Sequence, residues 1–244
     1  MKKDNKMVMF TRNLLVKASP VLGDSLAKFA IRFGYTIRLL QWIQKHPCKE
    51  FNERGSFSTF ALKAFVLETE GLTGEIDYLE FGVAHGSTLK WWVEKNTHPN
   101  TKFFGFDIFT GLPEEWFYAP KGSYTTNGEL PQIEDSRCEF VVGLFQNTLF
   151  PFLQKASLTR RKVVHIDSDL YNSSLYVLTT LAPYLAKDDI IIFDDFGGLR
   201  NPLDDFRSFN DFFSAYKFTY EVLGAADFYR KIAIKITSTS AEVE

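Results

Sequence analysis

The chain has 244 residues, 45% of them hydrophobic and 24% charged, which suits one large globular domain and excludes a disordered protein. A net charge of −2 removes the electrostatic ground for nucleic-acid binding. Cys48 and Cys138 stand far apart and make no metal-type pair, so a reducing, cytoplasmic setting is expected.

At the N-terminus Lys2 and Lys3 are followed by apolar runs that Arg12, Lys17 and Asp24 interrupt before a signal segment or a membrane span can form. Asp24 to Lys45 carries apolar residues at helical spacing, with Lys28, Arg32, Arg38 and Lys45 among them. Such a basic amphipathic helix can lie on a membrane. Its positive charges are not gathered into one block, so packing on its own domain or on a second subunit is preferred, which allows a homodimer. HPCKEFNERGS reads as a loop and Phe57 to Glu70 as a second helix. Residues 1–56 are therefore expected to form a helical extension, a lid or oligomer contact, on a main domain spanning 57–244.

From Glu75 short apolar strands alternate with helical stretches. Tyr78–Phe81, Lys102–Phe106, Glu139–Val142, Val163–Ile166 and Ile190–Phe193 read as strands, with helices after Gly86, through Leu149 and through Leu175–Leu185. Asp204 to Tyr216 reads as a further helix, and Tyr220–Leu223 with Lys231–Ile236 as a terminal hairpin. This alternation predicts an α/β fold, with a mostly parallel seven-stranded sheet, helices on both faces and a C-terminal antiparallel hairpin. Several of the 25 phenylalanines fall near strand ends, where they would suit an apolar wall around a pocket, although ordinary core accounts for most of them.

The organising stretch is IDYLEFGVAHG, Ile76 to Gly86. An acid, Glu80, ends an apolar run, Gly82 and Gly86 make a turn, and a helix follows. A strand that stops at glycines and feeds a helix presents backbone N–H groups and the positive end of a helix dipole, a nucleotide-type site in outline. The same pattern also serves plain helix packing. In an open parallel sheet ligands bind beyond the carboxyl ends of the strands. That edge is lined with acids: Glu80, Asp107, Asp167, Asp169, Asp194 and Asp195. Asp107 stands where a nucleotide-binding unit places its ribose-binding carboxylate. Asp167, Asp169, Asp194 and Asp195 would repel one another unless a cation or a shared proton relieves them, and a hard divalent ion such as magnesium takes oxygen ligands of this kind. His165, two positions before Asp167 on an alternating strand, reads first as a buried, hydrogen-bonded histidine and second as a catalytic one. His85, in the glycine turn, has no assigned role.

Taken together, LEFGVAHGST, GFDIFTGLPEEW, VVGLFQNTLF, HIDSDLYNSS and IIIFDDFGG resemble the macrocin O-methyltransferase-like family of class I S-adenosylmethionine-dependent methyltransferases, over about Glu75 to Gly198. The resemblance implies a Rossmann-like class I methyltransferase. Glu80, Gly82, Val83, Gly86, Ser87 and Thr88 would then surround the methionine end of S-adenosylmethionine, Asp107 its ribose, and Ile108 and Phe109 its adenosine, with Asp167 also near the cofactor. In related metal-dependent enzymes, an acid ending the fourth strand and two polar residues ending the fifth hold magnesium. The matching positions are Asp167 or Asp169, with Asp194 and Asp195. Asp167, Asp169 or His165 would take the acceptor's proton; a lysine that catechol O-methyltransferase carries after its fourth-strand acid is missing here.

The expected function is an S-adenosylmethionine-dependent, magnesium-dependent O-methyltransferase acting on a small-molecule hydroxyl, of a sugar, a glycoside or another secondary metabolite. A phenolic acceptor and a non-catalytic nucleotide-binding module are the alternatives. A nicotinamide-binding oxidoreductase is disfavoured because the turn lacks the closely spaced first glycine pair.

Overall fold

The computed structural model describes residues 2–52, 56–197 and 202–239. Eight strands form one sheet: β1 (Lys49–Phe51), β2 (Ile76–Phe81), β3 (Lys102–Asp107), β4 (Cys138–Val142), β5 (Arg161–Ile166), β6 (Ile190–Phe193), β7 (Thr219–Ala226) and β8 (Lys231–Ser238). Their order is β1-β7-β8-β6-β5-β2-β3-β4. All neighbours are parallel except β8, which runs antiparallel to both β6 and β7. The seven expected strands are present. The eighth, β1, lies inside the stretch expected to be a loop; its three residues pair with β7 at the sheet edge, and Glu53 to Gly55 of that stretch lie outside the described residues.

Among the described residues the α-helices are α1 (Lys2–Lys45), α2 (Ser56–Thr69), α3 (Ser87–Lys95), α4 (Phe145–Leu153), α5 (Tyr171–Leu181) and α6 (Asp205–Tyr216). α1 begins well before the expected Asp24 and breaks at Gly23, whose φ of 63° and ψ of 155° lie outside helical geometry.

Alternation along β2 explains the two cores. Leu79 and Phe81 enter a core with Leu39 and Trp42 of α1 and with residues of α4, α5 and α6. Ile76 and Tyr78 face the other way, against Leu62 and Val66 of α2 and Leu89 and Trp92 of α3. Glu80 shares Tyr78's face, and its register partner on β5 is His165, itself beside Ile192 of β6. Burying such a pair requires a partner for each charge.

The phenylalanines mostly build core rather than a pocket wall. Phe193, Phe196, Phe206 and Phe209 interlock beside Trp42, largely in tilted or edge-to-face contacts with ring centroids 4.9 to 6.4 Å apart.

Candidate active site

β2 sits where the strand order changes direction, with β3 and β4 to one side and β5 and β6 to the other. A cavity of about 300 Å³ opens there, beyond the carboxyl ends of β2, β3, β5 and β6.

Its floor is the turn after β2. Gly82 has φ 94°, and a Cβ on it would stand 1.9 Å from the carbonyl oxygen of Asp167. Only glycine permits β2 and β5 to run on side by side at this point, where Gly82 N–H donates to the carbonyl of Phe106 and Asp167 N–H to that of Phe81. The turn is held by Asp107. Its Oδ2 accepts the N–H groups of Val83 and Ala84 at 2.7 and 2.8 Å, and its Oδ1 accepts that of Phe109 at 2.7 Å. Asp107 is therefore first a clamp on the glycine turn, with lone-pair capacity left for a ligand hydroxyl.

Of the residues expected around a cofactor, Gly82, Val83, Asp107, Ile108 and Asp167 line the cavity. Glu80, Gly86, Ser87, Thr88 and Phe109 stand outside that lining. Glu80 is turned into the α2/α3 core, where Tyr78 Oη donates to its Oε2 and His165 Nδ1 lies 3.5 Å away. Gly86 packs on the Pro131 ring, Thr88 Oγ1 accepts from Lys63 Nζ at 3.0 Å, and Phe109 is buried against Phe140.

The acids at the far wall divide into two groups that share Asp167. One is Asp167, Asp169 and Asp195; the other is His165, Asp167 and Asp194; within each, a ligand atom from every residue lies within 4.8 Å of the others. Asp169 reaches the cavity from a left-handed backbone conformation, φ 62°, costly for a non-glycine residue and frequent at functional turns. Burial and Asp194 push the Asp167 carboxyl up to about 7, and burial and Asp195 push that of Asp169 up to about 9. Asp205, from the first turn of α6, lies beneath them with its carboxyl held well above the usual range by burial.

Asp194 is different. Burial alone would raise its carboxyl, yet Lys63, His165 and Lys231 hold it well below the usual range. Lys63 Nζ lies 3.7 Å from Oδ1, His165 Nε2 lies 3.5 Å from Oδ1, and Lys231 donates to Oδ2. Arg230 forks onto Asp195, with Nε and Nη2 both 2.6 Å from Oδ1. His165 is fully buried; burial and Lys63 lower its basicity, and Asp194 and Glu80 more than restore it.

Lys63, Arg230 and Lys231 were not expected at the site from the sequence. Lys63 is the lone charge within the apolar run of α2, a signal that was available. Arg230 and Lys231 arrive through topology, because β8, antiparallel to β6, begins where the parallel strands end. Trp116 and Tyr124 complete the cavity wall; Trp116 Nε1 donates to Asp204 Oδ2 at 3.0 Å, tying the loop after β3 to the start of α6.

A divalent ion fits the Asp167, Asp169 and Asp195 group on its own chemistry, since oxygen donors crowded until two resist ionisation are relieved by a cation. Asp194 fits less well, because both of its oxygens already face ammonium or imidazole groups.

The strand order and the glycine turn beside strand-end acids define a class I methyltransferase fold. Residues 79–196 match a family model described as a methyltransferase domain. Among solved structures, the chain is similar to the calicheamicin methyltransferase CalS11 (17% identity, TM-score 0.58, covering 87% of this chain and 93% of that one) and to the O-methyltransferase NovP (18%, 0.53, 72% and 78%). An apo structure of CalS11, described as a TDP-rhamnose 3'-O-methyltransferase, aligns at 19% identity with a TM-score of 0.53 over 83% of this chain and 93% of that one. No curated protein matches the chain by sequence. The fold and the matched domain make the chain a methyltransferase.

Proposed function

We propose that the protein transfers a methyl group from S-adenosylmethionine to a hydroxyl of a sugar, glycoside or related metabolite, with a divalent cation, magnesium by its donor set, on Asp167, Asp169 and Asp195. One observation carries the reading: a donor-type turn, Gly82 to Ala84 clamped by Asp107, and an oxygen-rich acid group share one cavity. That CalS11 is described as acting on a nucleotide-linked sugar favours a sugar acceptor.

Methyl transfer breaks the donor's carbon–sulfur bond as the acceptor oxygen attacks in line, and the hydroxyl proton must leave. A bound cation supplies charge stabilisation of the ionised acceptor oxygen. The chain supplies alignment and a place for the proton. His165 is sealed behind Asp194 and outside the cavity lining, so the proton goes to Asp167 or Asp169. Asp167 and Asp169, raised to about 7 and about 9, each hold a proton that a cation would displace, and a carboxylate oxygen left uncoordinated would then take the acceptor's proton. A phenolic acceptor is the second reading, favoured by Trp116 and Tyr124 in the wall.

Calorimetry with S-adenosylhomocysteine and with NAD, followed by a panel of glycosides and phenols with and without chelator, tests this. Binding of the first nucleotide and not the second, with chelator-sensitive transfer to glycosides, is expected. Full transfer by Asp167→Asn/Asp195→Asn in chelator would remove the cation from the scheme.

A further inference from the structure

A helix that packs by one apolar face ordinarily shows a polar one to solvent. α1 does not. Tyr35, Leu39, Trp42 and Ile43 turn into or against the core. Leu26, Phe29, Phe33, Ile37 and Leu40 point away and are 49%, 64%, 57%, 40% and 44% exposed. Steps of three and four residues put these five on one stripe, and the rings of Phe29 and Phe33 stack at 6.0 Å. Before the break at Gly23, Met7, Phe10 and Leu14 repeat the spacing with exposures of 67%, 71% and 58%.

The charge of α1 is as uneven as its apolarity. The helix holds nine of the chain's 28 Lys and Arg and only two of its 30 Asp and Glu, so the rest of the molecule is net acidic. The surface also reaches the cavity. Arg32 lies 5.4 Å from the ring centroid of Phe117, Phe117 packs on Tyr118, and Tyr118 lies 6.1 Å from Trp116 of the cavity wall. Phe117 and Tyr118 are 47% and 72% exposed.

We propose that α1 is an interfacial helix that docks the protein on an anionic lipid surface, with the aromatic cavity mouth beside that surface. No helix among the described residues is long and apolar enough to cross a membrane, so the helix lies on the lipid and does not span it. A lipid surface accounts for both properties together, taking the apolar stripe into the acyl boundary while the helix's net positive charge is drawn to anionic headgroups. Pairing with a second copy through the same stripe would bring two basic helices together, which charge opposes. The scatter of its charges favoured packing for this helix; the structure packs Tyr35, Leu39, Trp42 and Ile43 and leaves the outward apolar stripe exposed. The proposal stands apart from the methyl-transfer reading.

The test is flotation of the full chain with vesicles of phosphatidylcholine containing about 30% phosphatidylglycerol, against phosphatidylcholine alone. Binding to the anionic vesicles, at least roughly tenfold weaker on the neutral ones and weakened by salt, is expected. Phe29→Ser/Phe33→Ser should cut binding roughly tenfold or more. Lys28→Glu/Arg38→Glu, both at exposed positions, should cut it by a similar factor and keeps the test open if the first variant folds poorly. Circular dichroism and the thermal midpoint serve as fold controls. No vesicle binding, or equal binding to both vesicle types, overturns the proposal. So does a dimer, seen by light scattering, that Phe29→Ser/Phe33→Ser dissociates while vesicles bind nothing; the stripe then belongs to a second copy.

Discussion

Lys63 reaches Asp194 from the α2 side of the sheet, its Nζ 3.7 Å from Oδ1, while Lys231 of β8 holds Oδ2. Lys63 is almost fully buried, so the contact belongs to the core as much as to the cavity. Replacing it leaves a buried carboxylate short of a partner. Lys63→Met should therefore cost about 3–5 kcal/mol in urea unfolding. Adding Asp194→Asn should cost less than the two single changes combined, and strict additivity in that cycle would mean the two groups are not coupled.

Gly82 and Gly122 both have φ near 90°, but only Gly82 has a neighbour where a Cβ would go. Comparing alanine at the two positions separates backbone strain from collision. Gly122→Ala should lose about 1 kcal/mol and keep nucleotide affinity. Gly82→Ala should lose more than about 3 kcal/mol and its affinity for S-adenosylhomocysteine by calorimetry, because the Asp167 carbonyl cannot yield without moving β5.

Asp107 accepts three backbone N–H groups, so a substitution there acts on the turn before any ligand arrives. Asp107→Ala should lower stability by about 2–4 kcal/mol. Asp107→Asn keeps the shape but only one accepting oxygen. It should hold most of the stability and weaken S-adenosylhomocysteine binding about tenfold.

The raised carboxyls of Asp167 and Asp169, at about 7 and about 9, set a pH dependence. Both lie above their ordinary value, so the native state keeps protons that the unfolded chain has released. Their contribution to stability is complete below about pH 4 and is lost as pH rises through 7 and then 9. A divalent ion must displace those protons, so its affinity should rise over the same window. Manganese titrations at about pH 6 and about pH 9, followed by the cation-induced shift in unfolding temperature, measure this. A shift that shrinks as pH rises would contradict the assignment.

Seven of the eight strands were legible in the chain because each holds a short apolar run and four of them end in a carboxylate; β1, Lys49–Phe51, has no such run. The glycine turn was legible for the same local reason. What local pattern did not reveal was how the acids are relieved. Crowded carboxylates call for positive charge, and an ion or a shared proton is the nearest answer within the acids' own stretch. The structure adds Lys63, far upstream of the acids, and the neighbours Arg230 and Lys231, downstream of them, which reach the acids because α2 packs on the sheet and β8 starts where β6 ends. Glu80 was misleading for a related reason: a strand-end acid in a glycine motif looks like a ligand contact, but two-residue alternation sends it to the face of Tyr78 and His165.

β1 has a bearing beyond the site. Its three residues pair with Gly224, Ala225 and Ala226 at the end of β7's outer edge, and Lys49 and Glu50 on it are exposed. Without it β7 would offer other chains a longer row of free amides and carbonyls, whereas a short strand bearing charge gives an incoming strand little length to pair with. β1 would thus act as a guard against aggregation, and replacing Lys49 and Glu50 with valine should show first as lost solubility.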